Sequence, residues 1–230
     1  MEDTIIEDIL FRIFINETLA ASMNVVREKL EELTYGYLLT MGYIRGLDEV
    51  EEIIFDGNDV HVQLTHDVDH EAIKRVYLEK LSDAVSAPVH FVVREFSVTL
   101  TPTLIRTVMN ELNQRGELFK QTGGTHSALI YQNDSVVSFS EDVGRFNALD
   151  KVIGDALLHK IDLNNVILAS SGRLAGEMVL KASNARIPVL CSVSAPMISG
   201  VNIAKTSGMT LIGFARQGRF NVYSGFERLA

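Results

Sequence analysis

Six hydrogen-bonding side chains crowd the stretch SEDVGRFNALDKVIG, residues 140–154: Glu141, Asp142, Arg145, Asn147, Asp150 and Lys151 lie within eleven positions. Phe146, Leu149, Val152, Ile153 and Leu157 interleave with them at helical spacing, so the segment reads as a helix over about 145–158 with its polar groups gathered around the start. A carboxylate near a helix N-terminus favours the helix itself, so Asp142 taken alone reads as a cap. Asn147 and Lys151, four apart, read in the same way as one solvated face. The cluster as a whole is denser than surface decoration requires.

Four more segments carry small hydroxyl residues, glycines or cations. In FKQTGGTHSAL (119–129), Gly123 and Gly124 permit positive φ and close backbone approach, Thr122 and Thr125 supply hydroxyls, and His126 supplies a titratable donor at a strand start. A hairpin entry would use only the glycines, whereas a phosphate or heterocycle laid on bare backbone would use the whole set. In LASSGRLAGEMVLKA (168–182), Ser171, Gly172 and Arg173 turn from a strand into a helix that carries Glu177 and Lys181 four apart. An ordinary capped turn with an exposed ion pair explains that segment alone. In CSVSAPMISG (191–200), Ser192, Ser194, Ala195 and Pro196 follow a strand in the same manner. FARQGR (214–219) places Phe214, Ala215, Arg216, Gln217, Gly218 and Arg219 at another strand end, as a polar turn or as partners for phosphates. Where strands deliver their ends into following helices, unpaired N–H groups attract anions. The two serine-bearing turns are expected to open at one edge of one sheet.

Other chemistries have little to rest on. The six histidines are scattered along the chain without an HxE arrangement, and GxSxG, Walker-A and GxGxxG are all missing. Cys191, the one cysteine, lies in an apolar strand, which leaves no CxxC motif and no intramolecular disulfide. His126 with Glu141 or Glu177 as acid and base keeps an enzyme reading open, and an adaptor that binds only proteins is the other alternative.

These segments need a scaffold. With 230 residues, 47% of them apolar, the chain can bury one substantial core or two unequal ones. A formal charge of −9 argues against a general nucleic-acid binder. The acidic N-terminus and the lack of a long apolar run predict a cytoplasmic protein with no membrane span. Alternation predicts a hairpin over 9–24 turning at Asn16 and Glu17, and strand–turn–strand over 50–64. Helices are expected over about 30–41 and 70–82, with a strand over 89–98. Thr101, Pro102 and Gly116 bracket a further helix with Leu104, Ile105, Val108, Met109 and Leu112 on its apolar face. Beyond it a hairpin over 127–139 and short strands at 164–170, 187–193 and 209–216 alternate with helices at about 173–183 and 197–207. Such alternation predicts an α/β arrangement, α+β overall, with parallel neighbours and helices on both faces, and a domain junction near residue 117 (1–117 and 118–230).

The motifs in this order, followed by LIGFAR and NVYS, resemble the formate dehydrogenase accessory protein family, FdhD/NarQ, and residues 15–44 are similar to its N-terminal region. The resemblance implies a cytidine-deaminase-like three-layer α/β/α C-terminal domain beside a smaller α+β N-terminal domain, usually as a homodimer. It implies a cytoplasmic factor that binds molybdopterin guanine dinucleotide, or a GDP-like nucleotide, and passes it sulfur from a cysteine desulfurase before insertion into formate dehydrogenase. The TGG-x-H, EDVGR, SGR, SAP and FARQGR segments would then surround the ligand. Two positions depart from the family pattern: the CxxC-like pair ahead of the TGG motif has no counterpart in residues 92–119, and Phe146 stands where a histidine is commoner. Sulfur transfer requires a thiolate.

Overall fold

The computed structural model describes residues 4–86 and 99–230. The chain opens with a hairpin, β1 (Ile9–Ile15) and β2 (Thr18–Val25). It turns at Asn16 and Glu17, whose φ angles of 45° and 65° lie in the left-handed region. α1 (Leu30–Met41) follows and ends at Gly42, whose φ of 86° lets its N–H and those of the next residues close the last helical carbonyls. β3 (Val50–Asp56) and β4 (Asp59–Leu64) complete a four-stranded sheet in the order β2-β1-β4-β3, with β4 parallel to β1. One face of that sheet alternates inward through Phe11, Ile13, Ile15, Val60, Val62 and Leu64, all buried. α2 (His70–Ser86) runs four residues past its expected end. The strand expected over 89–98 lies outside the described residues.

α3 (Pro102–Arg115) begins as its sequence requires: Thr101 Oγ1 accepts the Leu104 N–H at 3.1 Å, and Pro102 takes the first turn. Gly116, in the turn where the junction was expected, both ends α3 and starts the short helix α4 (Glu117–Thr122). The remaining elements are β5 (His126–Gln132), β6 (Ser135–Asp142), α5 (Arg145–Leu158), β7 (Ile167–Ser170), α6 (Gly176–Asn184), β8 (Val189–Ser192), α7 (Ile198–Thr206), β9 (Thr210–Arg216) and β10 (Arg219–Ser224). They build a six-stranded sheet in the order β10-β9-β8-β7-β5-β6. β7, β8 and β9 are parallel, while β5 runs antiparallel to both of its neighbours.

Strand periodicity sorts this sheet into three layers. Leu129, Tyr131, Ile167, Ala169, Val189, Cys191 and Ile212 face α3, whose Ile105, Val108, Met109 and Leu112 cover them. Ala128, Ile130, Leu168, Leu190 and Leu211 face the opposite way, into a core shared with α5, α6 and α7. That second core is continuous with α1 and the inner face of the first sheet. The continuity depends on two glycines. A Cβ on Gly36 of α1 would lie 1.8 Å from the Asp150 carbonyl oxygen, and one on Gly154 of α5 would lie 1.8 Å from that of Glu32. The two helices therefore touch backbone to backbone. No helix among the described residues is long and apolar enough to cross a membrane.

Candidate functional site

The reversed strand β5 assembles the site. β6, β7, β8 and β9 all end at one edge of the second sheet, and β5, running the other way, starts there. His126 at the start of β5 therefore meets the ends of β6 at Asp142, β7 at Ser170, β8 at Ser192 and β9 at Arg216. Five segments scattered over 90 positions share this edge.

Hydrogen bonds lock the segments together. Ser171 Oγ accepts the Ser127 N–H at 2.9 Å and lies 3.1 Å from His126 Nδ1. Its hydroxyl proton is free to go to Nδ1, which leaves the ring hydrogen on Nε2. The backbone continues the seam: Ser171 N–H donates to the Ser127 carbonyl, and Ser194 Oγ donates to the Ser171 carbonyl at 2.8 Å. Ser192 Oγ donates to the Gly172 carbonyl at 2.7 Å, Leu174 N–H to the Ala195 carbonyl, and Phe214 N–H to the Ser194 carbonyl. A parallel bridge between Leu174 and Pro196 ties the two serine-bearing turns. The expected convergence of the SGR and SAP turns is thus direct contact.

Beside this seam lies a cavity of about 640 Å³, within the range of small-molecule sites. Gly123, Gly124, Thr125, His126, Ser127 and Ser171 form its polar side. Asn113, Phe119, Lys120, Val143 and Val193 also line it, beyond the residues expected from the sequence. The signal in the sequence is the aromatic Phe119 beside a lysine in the same stretch as the histidine, and the structure leaves that ring 53% exposed. The two glycines have separate local duties. Gly123, at φ 65°, closes α4 by donating to the Phe119 carbonyl, and Gly124 leaves room for Ile6, whose Cγ2 would lie 2.9 Å from an added Cβ. Thr122 Oγ1 accepts the Gly124 N–H, fixing the loop.

The electrostatics around His126 are cationic. Burial lowers its pKa below the ordinary histidine value, and the charges of Arg145 and Arg173 push it further down. The ring is neutral at physiological pH. Arg173 is exposed, while Arg145 is half-buried and carries its guanidinium 4.2 Å above the Phe146 ring. Arg145 Nε is buried without a hydrogen-bond partner. Gly172 makes space for it: an added Cβ there would come within 2.9 Å of Arg145 Cβ and 3.1 Å of its Cδ. An orphaned cationic donor beside a neutral histidine and an apolar-walled cavity suits an anionic group attached to a planar ring.

Several of the clustered polar residues face inward. Glu141 is buried and accepts from Leu118 N–H, Phe119 N–H and Thr125 Oγ1 at 2.9, 2.8 and 2.9 Å, so it caps α4 from the neighbouring strand. Asp142 is not the N-cap of α5; that position is Gly144. Its carboxylate is wholly buried and accepts from Val26 N–H, Gly144 N–H and Asn147 Nδ2, with Lys151 Nζ at 2.7 Å. The expected solvated face of Asn147 and Lys151 is therefore an interior one. α1 and the strand before it cover it, and Lys151 also donates to the Val26 carbonyl. Lys181 likewise does not pair with Glu177. Its ammonium lies in the interior, 2.8 Å from Asp150 and 3.0 Å from Thr40 Oγ1, because α1 packs over the turn of α6 that carries it. Burial raises the Asp150 carboxyl against the pull of Lys181 and Thr40. The Lys181–Asp150 pair, through Thr40, fastens α1 to α5 and α6, the Lys151–Asp142 pair holds the segment before α1 at Val26, and all four side chains are buried.

Arg216 and Arg219 flank the β9–β10 turn, where Gln217 and Gly218 take positive φ, and Ala215 is buried. With Phe214, Phe220 and Asn221 they line a second hollow of about 240 Å³. Asn113 lines the large cavity and also a small crevice shared with Arg216 and Arg219, so the two regions adjoin along α3. Cys191 lies under α3 with no exposed surface, and burial pushes its thiol up to about 12. Among the described residues no group of three His, Cys, Asp or Glu side chains is arranged to hold a metal ion.

Fold and site together define a two-sheet α+β protein with a cleft at the edge where its strands converge, lined by Lys120 and by His126, on which the charges of Arg145 and Arg173 act. The FdhD/NarQ family profile matches residues 6–230, and the chain belongs to that family. A relative from Staphylococcus haemolyticus named sulfur carrier protein FdhD is 33% identical, over 99% of this chain and 90% of that protein. Its namesake from Sulfolobus acidocaldarius is 34% identical over 99% and 92%. A crystal structure described as a putative formate dehydrogenase accessory protein from Desulfotalea psychrophila superposes with a TM-score of 0.81 at 29% identity. It covers 100% of this chain and 92% of that one.

Proposed function

We propose that this protein is a formate dehydrogenase accessory protein whose strand-edge cleft holds molybdopterin guanine dinucleotide, or its GDP-like part, during maturation of the enzyme. The observation that carries the reading is the junction of His126, Ser171 and Ser194 beside a cavity of about 640 Å³, with Arg145 and Arg173 acting on the histidine. Arg145 and Arg173 would meet phosphate oxygens, Phe119 and the two valines would lie against a heterocycle, and Arg216 with Arg219 would meet a more distant anionic group. The orphaned Arg145 Nε fits that assignment. Glu141 is already committed to three donors, which removes one of the two carboxylates that acid–base catalysis with His126 could use.

Sulfur takes a different course in this chain from a persulfide relay. Cys191 is the single thiol of the 230 residues, and its raised pKa and full burial leave no thiolate to accept sulfur. The protein binds and presents the cofactor, and sulfur supplied by a cysteine desulfurase reaches it without a persulfide on this chain. Calorimetric titration with GDP tests the binding: saturable heat that weakens at least tenfold in Arg173→Ala is expected, and a silent wild-type titration would overturn the reading. Cys191→Ala should rescue a strain lacking the accessory protein as well as wild type does.

A further inference from the structure

Arg145 has a freedom problem. It opens α5, its Nε has no hydrogen-bond partner, and no carboxylate among the described residues forms an ion pair with it. A flexible cation in that situation would sample many rotamers. Phe146, the next residue, removes that freedom, since its ring lies 4.2 Å beneath the guanidinium carbon and is itself packed against the main core. On the other flank Gly172 leaves just the space that the Arg145 stem fills.

We propose that Phe146 is a positioning residue: its ring face, anchored in the core, holds the Arg145 guanidinium near His126 so that its hydrogen-bonding fork is set for an anionic group before any ligand arrives. Resting on the binding reading above, this assigns affinity to preorganisation as well as to charge. A planar guanidinium on an aromatic face keeps its in-plane N–H donors free, so stacking and phosphate binding are compatible. The groups facing His126 make its ring a reporter of where Arg145 lies. Ser171 approaches from the turn after β7, Arg173 from the same turn and Arg145 from α5. Asp142, opposite His126 on β6, is fully engaged by Val26, Gly144, Asn147 and Lys151.

The test compares Phe146→Met, which keeps bulk but has no ring face, with Phe146→Tyr, which keeps the face. NMR titration of the His126 ring in ligand-free protein is the first readout. It should titrate below the ordinary histidine value in wild type and Phe146→Tyr, and move up toward it in Phe146→Met as Arg145 swings away. GDP affinity should fall about tenfold in Phe146→Met and stay within about twofold in Phe146→Tyr. An unchanged His126 titration in Phe146→Met, or an equal shift in both variants, would overturn the assignment. Should wild type bind no GDP, the binding reading fails while the titration still judges the positioning role. Should Phe146→Met not fold, the Arg145 Cδ proton resonances of the wild type decide: ring current displaces them upfield if the stack persists in solution, and ordinary positions refute it.

Discussion

Replacing Lys151 by methionine isolates a fully buried ion pair. The Lys151 ammonium and the Asp142 carboxylate are 2.7 Å apart and neither side chain has any exposed surface. Methionine fills a similar volume and removes one charge. Asp142 would retain three neutral donors at 3.0, 2.9 and 2.8 Å, and the Val26 carbonyl would lose its own donor at 2.8 Å. A carboxylate stranded without its counter-ion costs about 3–5 kcal/mol, a large part of the about 5–15 kcal/mol that stabilises a typical domain. With a urea m-value of about 3 kcal/mol/M, the unfolding midpoint at pH 7 should fall by about 1–1.7 M. Adding Asp142→Asn should recover most of the loss at neutral pH, since a neutral amide needs no cation. A Lys151→Met midpoint within about 0.3 M of wild type would refute the reasoning.

Gly154→Ala forces a methyl group to within 1.8 Å of the Glu32 carbonyl oxygen, so α1 and α5 must part. A loss of about 3 kcal/mol is expected, seen as a melting temperature lower by about 6–12 °C. Glu141→Ala strips the cap from α4 and should cost about 2 kcal/mol, with amide exchange rising in residues 117–124 and GDP binding weakened by the freed loop. Burial alone would raise the Asp155 carboxyl, but hydrogen bonds from Lys29 and Ser138 hold it below the ordinary value. Its stabilisation is therefore present above the unfolded carboxylate pKa and lost as pH falls through the depressed folded value. Urea unfolding between pH 7 and 2 should show an acid-induced loss in wild type that is smaller in Asp155→Asn.

Local chemistry made most of the elements readable. The β1–β2 turn at Asn16 and Glu17, the Thr101 cap with Pro102, and the alternation through Phe11, Ile13 and Ile15 each depend on near neighbours. The motif series likewise pointed to the family and to the segments that meet at the cleft. Neither the direction of β5 nor the fate of the charged residues was visible there. An i, i+4 pair such as Asn147 and Lys151 has the same spacing on a wet face as on a buried one, and only the packing of α1 against α5 decides which it is. Lys181 looked like the partner of Glu177 because they are near in sequence, yet its counter-charge, Asp150, is 31 positions away on another helix. Residue order thus determined the elements and their turns, through interactions that span a few residues. The tertiary structure decided which strand ends share an edge and which ions lose their water, because both depend on contacts between segments far apart in the chain.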